Sequence, residues 1–77
     1  MAYIEELGVD VLWRGTEIEI RYREGTEPLR WTLGEEIRVL TALGLKRRIW
    51  RLGAGRLVRA SDGSLVEVVE LRRAEGE

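Results

Sequence analysis

Two runs of alternating apolar and polar residues, Val9–Arg14 and Glu17–Tyr22, are separated by Gly15-Thr16, and this pattern restricts the fold more than any other stretch. A Gly-X pair between alternating runs suits a two-residue type II′ hairpin turn, whose first position needs a positive φ. Closing the loop there sets Arg14 opposite Glu17, Trp13 opposite Ile18, Val11 opposite Ile20, Asp10 opposite Arg21 and Val9 opposite Tyr22. One face of this ladder is wholly apolar, and the other carries opposite-charge pairs that stabilise modestly. A one-residue slip would send Trp13 and Ile18 to opposite faces, so the register is specified.

A second turn at Glu24-Gly25-Thr26-Glu27, with Pro28 where a missing N–H does least harm, extends the pattern. It predicts a third strand with Leu29 beside Tyr22, Trp31 beside Ile20 and Leu33 beside Ile18, hence a three-stranded meander over about 9–33. Ahead of it, residues 1–8 read as a short helical or irregular lead-in ended by Gly8, with Ala2–Ile4 as a strand the alternative.

Thr32 and Glu35 have capping-box spacing, and Glu35 and Glu36 suit the positive end of a helix dipole. Ile37, Leu40, Ala42 and Leu43 recur at helical spacing with Glu36, Arg38 and Thr41 opposite, and Gly44 suits the position after the last turn, so a helix is expected over about 34–44. Beyond it, Lys46–Leu52, Arg56–Ala60 and Leu65–Leu71 read as a second meander, joined by Gly53-Ala54-Gly55 and by Ser61–Ser64. A three-residue loop at 62–64 would pair Ala60 with Val66, Arg59 with Glu67, Val58 with Val68 and Arg56 with Glu70, and the Gly-Ala-Gly turn would set Trp50 against Val58. The opposite face holds Ile49, Leu57, Leu65, Val69 and Leu71, so this meander needs cover on both sides. The expected fold is α+β and β-dominated: two antiparallel three-stranded meanders flank one helix in a small sandwich or barrel. Residues 1–71 form the single domain and 72–77 a frayed tail.

A chain of 77 residues builds one thin core. Cysteine and histidine are absent, which removes disulfides, thiolate metal sites and the commonest general base. Ser61 and Ser64 have no basic neighbour, adjacent carboxylates (Glu5/Glu6, Glu35/Glu36) point apart, and no phosphate-binding or dinucleotide motif occurs. The expectation is a non-enzyme with neither cofactor nor metal. No apolar run reaches membrane length and no signal peptide is evident, so a soluble cytoplasmic protein without membrane partners is expected. Lys46 is the single lysine among 13 basic residues, an arginine bias that suits a GC-rich coding sequence or a thermostable protein.

The net charge of −1 creates no general attraction for polyanions, but the charges are uneven. Residues 46–59 hold Lys46, Arg47, Arg48, Arg51, Arg56 and Arg59 with no acid among them. The leading expectation is a non-catalytic binding module that works by protein–protein contact, as a homodimer or as a regulator, inhibitor or antitoxin-like accessory protein. Lys46, Arg47, Arg48, Trp50 and Arg51 would meet the partner, and Ile49, Leu57, Val69 and Leu71 would form an oligomer interface. The alternative is nucleic-acid binding by the ribbon 46–59, with arginines on phosphates and Trp50 stacked on a base. Against it, Glu70 and Glu67 would neutralise Arg56 and Arg59. A third reading, a designed sequence without biological function, suits the regular turns but not the arginine bias and the 9 glycines. Trp13 and Trp31 read as core, standing in for the absent phenylalanine, while Trp50 suits either core or contact.

Overall fold

The computed structural model describes residues 1–74. Strand β1 (Ala2–Ile4) leads into a 3-10 turn at Glu5–Leu7, which Gly8 stops at a φ of 66°. Both readings of the lead-in are therefore realised, strand first and helical turn second. Strands β2 (Val9–Arg14) and β3 (Glu17–Tyr22) pair in the expected register, from Arg14 opposite Glu17 to Val9 opposite Tyr22, while β1 adds to the outer edge of β2.

The third strand expected at 28–33 does not form. Pro28 offers no N–H, Trp31 holds a left-handed φ of 59°, and the edge of β3 belongs to a later strand. Residues 23–32 cross the sheet as irregular chain instead, with Leu29 and Trp31 still packed on the core. Thr32 then caps α1 (Leu33–Ala42) with the complete capping box, its hydroxyl accepting from Glu35 N at 3.2 Å and Glu35 accepting from Thr32 N at 3.0 Å. Gly44 and Leu45 close the far end by donating to Thr41 O and Leu40 O, the paired bonds of a Schellman motif. The helix is rotated from the expected face. Val39 and Leu40 are buried and Glu36 turns inward, while Ile37 and Ala42 stay exposed.

Lys46–Ile49 is a turn, not a strand, with Ile49 N and Trp50 N both donating to Lys46 O at 2.9 Å. Nor does the chain reverse at Gly53-Ala54-Gly55. Strand β4 (Trp50–Arg59) runs through it with a bulge between Leu52 and Gly55, so Trp50 lies opposite Arg73 and not Val58. The bulge needs glycine: a Cβ on Gly53 would stand 2.6 Å from Arg72 Nε and 2.7 Å from Glu70 Oε1. Strand β5 (Leu65–Arg73) returns after a tight loop in which Gly63, at φ 90°, donates to Ala60 O while Ala60 donates to Ser64 O. The loop lies one residue earlier than expected, which moves every partner by two. Val58 therefore faces Val66, Arg56 faces Val68, and the expected Arg59–Glu67 and Arg56–Glu70 pairs are absent. Arg72 and Arg73 belong to β5 and Ala74 N donates to Ile49 O at 2.7 Å, so these three are not frayed; 75–77 of the expected tail lie outside the described residues.

The architecture is α+β and β-dominated, as read from the sequence, but the strands make one antiparallel sheet in the order β1-β2-β3-β5-β4. Two separate meanders, a sandwich and a closed barrel are thereby replaced by a single layer with one covered face. Because β5 lies between them, β3 and β4 run parallel, and their connection carries α1 across that face. Beneath it Ile4, Val9, Val11, Ile18, Ile20, Val39, Leu40, Val69 and Leu71 form the core. The other face is open and carries ion pairs, Arg14–Glu19, Arg56–Glu17 and Arg72–Glu70, around Leu12, Val66 and Val68. Among the described residues, no helix is long and apolar enough to cross a membrane.

Candidate interaction surface along strand β4

The basic segment does not present one continuous ribbon. Arg47 donates to Glu36 Oε1 at 3.1 Å, and Glu36 also accepts from Leu52 N at 2.9 Å, so this pair staples the 46–52 turn to the helix. Arg51 is folded back onto the carbonyls of Arg47 and Trp50. Trp50 packs against the core with the Arg73 guanidinium 5.1 Å from its ring centroid. Only Lys46 and Arg48 of the expected contact residues remain exposed without a carboxylate partner among the described residues. Of the expected interface residues, Val69 and Leu71 are core and cannot meet a partner, whereas Ile49 and Leu57 are exposed. Trp13, expected inside, sits at the rim of the hairpin with 45 % of its surface exposed, its indole N–H donating to Gly15 O.

What the structure brings together instead is the outer half of β4. This strand ends the sheet, so among the described residues one row of its backbone N–H and C=O groups has no strand beside it. Every residue from Ala54 to Arg59 is exposed, and Leu57 and Val58 keep 51 % and 40 % of their surfaces in solvent. Leu57, opposite Glu67, points to the covered side, and Val58, opposite Val66, to the open side. Their flanking cations differ. Arg56 lies 3.8 Å from Glu17 across the open face, whereas among the described residues Arg59 donates to Gly63 O alone, at 3.1 Å.

Directly opposite Leu57 is Glu67, the one carboxylate on the covered side of β5. It accepts from Tyr22 Oη at 2.6 Å and from Trp31 Nε1 at 2.9 Å, and Tyr22 Oη accepts from Leu29 N at 2.9 Å. Burial, then the bond to Glu67, pushes the Tyr22 phenol well above the usual tyrosine range. Trp31 makes this bond from a left-handed backbone, at a φ of 59°. Gly55 leaves the carboxylate uncovered on the strand-edge side, since a Cβ there would stand 3.0 Å from Glu67 Oε2. No cation pairs with Glu67 among the described residues. The sequence held a signal for this group: a single acid interrupts Leu65, Val69 and Leu71 on an apolar face, a position that requires hydrogen-bond donors.

Beside the edge, a cleft of about 480 Å³ opens between the 23–26 loop and the tip of the β4–β5 hairpin. Its polar groups are largely satisfied internally. Arg23 grips Asp10 with two bonds of 2.9 and 3.0 Å, which holds the Asp10 carboxyl below the usual carboxylate range. Asp62 accepts from Ser64 N and is likewise held low. Comparison of the chain with models of known protein families, with curated proteins and with solved structures gives no match.

Proposed function

We propose that this chain is a non-catalytic protein-binding module whose contact surface is the outer edge of β4, where a partner adds an extended strand. The observation that carries this reading is a terminal strand whose 54–59 segment is wholly exposed and bears two outward apolar side chains. Strand addition draws affinity from backbone hydrogen bonds and specificity from alternate side chains, and Leu57 and Val58 supply one of each alternation. The bulge at 52–55 limits the straight pairing surface to the hairpin arm.

The nucleic-acid reading has less behind it, because Arg47, Arg51 and Trp50 are engaged within the chain and only Lys46 and Arg48 of that group remain for phosphates. The test is an NMR titration with a seven-residue peptide copying 54–60, run beside a mixed oligonucleotide at low salt. Shifts confined to the amides of 54–60 on peptide addition are expected, with no oligonucleotide response. Peptide shifts that fall on the open face, or none at millimolar peptide, would overturn the edge reading. Oligonucleotide binding that weakens steeply with salt would favour the alternative.

A further inference from the structure

We infer that the strand added to β4 is the β4 of a second copy, paired antiparallel about Leu57 in a two-fold dimer. This rests on the reading of the β4 edge as the contact surface, and adds the partner and the register.

A two-fold axis normal to the sheet brings the two β4 edges together antiparallel and keeps both helices on one side. Only registers that put side chains of one face opposite the same face continue the pleat. Centring on Arg56 would set that cation against its own copy, a destabilising like-charge pair. Centring on Leu57 sets Leu57 against Leu57, Arg56 against Val58, and Arg59 against Gly55, so no cation meets a cation.

The Arg59–Gly55 pairing separates this register from the one centred on Val58. Arg59 lies on the covered side, the side of Glu67. Opposite a glycine, nothing blocks it from crossing β4 toward the Glu67 carboxylate of the other copy. The strand bearing Arg59 would lie two strand spacings from β5, roughly 10 Å, a gap that extended Arg and Glu side chains close together. Each copy thus contributes what the other lacks among the described residues: an arginine with no carboxylate, and a carboxylate held by two neutral donors with no cation. Gly55 also acquires a reason, since glycine within a strand often marks close approach by another chain.

The ladder spans 55–59 in each copy. That is well below a standard interface of roughly 1,600 Å², so the dimer is expected to be concentration-dependent.

Because the chain has no cysteine, a single introduced thiol can form only an intermolecular disulfide. Leu57→Cys is expected to cross-link about tenfold faster than Val58→Cys or Ala54→Cys under mild oxidation, because only residue 57 meets itself within disulfide range. Light scattering should show mass rising from monomer toward dimer with concentration. Arg59→Glu should weaken association about tenfold and Arg56→Glu much less, although both change the net charge equally. Circular dichroism checks that each variant folds.

Monomer mass up to millimolar concentration would overturn the dimer, leaving the edge reading to its own peptide titration. Faster cross-linking through residue 58, or equal effects of the two arginine variants, would overturn the register and the Glu67 pairing. A dimer indifferent to every β4 substitution would sink the edge reading as well.

Discussion

At the scale of single residues, Tyr22 joins three parts of the molecule, since its hydroxyl accepts from Leu29 N and donates to Glu67 of β5. Tyr22→Phe leaves a backbone donor and a carboxylate oxygen without partners and should cost about 1–3 kcal/mol in urea unfolding. The fold holds the neutral phenol, so its folded pKa lies above the unfolded value of about 10. Stabilisation from this source is complete below that pH and is lost as pH rises toward the folded value. The stability gap between the native chain and Tyr22→Phe should therefore narrow above about pH 10, as read from urea midpoints. Asp10 works in the opposite direction. Arg23 depresses its folded pKa, so its contribution is present above the unfolded value of about 3.9 and fades as pH falls. Asp10→Asn should flatten the acid-side decline without altering the alkaline side, and an unchanged acid limb would refute that role.

At the scale of elements, two glycines make a controlled comparison. Gly8 and Gly25 both hold positive φ, 66° and 85°, so alanine at either carries a left-handed strain of about 1 kcal/mol. Only at Gly8 does the new Cβ also meet a neighbour, 2.5 Å from Thr26 Oγ1, while Gly25 faces open space. Gly8→Ala should thus destabilise clearly more than Gly25→Ala, and Thr26→Ala should remove the difference in a double-mutant cycle. How far the elements were legible follows from the same local chemistry. The β2–β3 hairpin could be read to the residue because Gly15 and the alternation agree, and α1 because Thr32 and Glu35 mark its start. The β4–β5 faces were legible and their partners were not: a loop moved by one residue shifts partners by two and leaves each side chain on its own face. Gly53-Ala54-Gly55 was misread because glycine serves both turns and bulges, and the charges of Glu70, Arg72 and Glu67 that demand it lie across the sheet. The supposed strand at 28–33 kept its inward Leu29 and Trp31 but lost its place to β5, whose longer apolar run no local pattern could rank. The sequence pairs Glu67 with Arg59, and only the tertiary structure sets it opposite Leu57 and supplies its donors from Tyr22 and Trp31.

At the scale of the whole molecule, one sheet covered on one side by a ten-residue helix leaves little reserve. A domain of this size holds only about 4–12 kcal/mol in total, so the position of each apolar side chain relative to that single core decides its worth. Leu71 and Leu57 lie on the same face of the adjacent strands β5 and β4, Leu71 opposite Leu52 and Leu57 opposite Glu67, yet Leu71 is buried and Leu57 is exposed. Leu71→Ala should cost about 2–5 kcal/mol and bring the chain close to unfolding. In dilute solution Leu57→Ala should cost far less, about 1 kcal/mol or under, because half of its surface is already in solvent within one copy. Concentration separates them further. If two copies join along β4, association stabilises the folded state by mass action, and the melting temperature of the native chain climbs as protein is added. Leu57→Ala should erase that climb while lowering the dilute melting temperature far less than Leu71→Ala, which should lower both ends of the curve together. Calorimetry over a hundredfold range of concentration reads the two slopes directly, and a Leu57→Ala slope equal to that of the native chain would place the contact elsewhere than this edge.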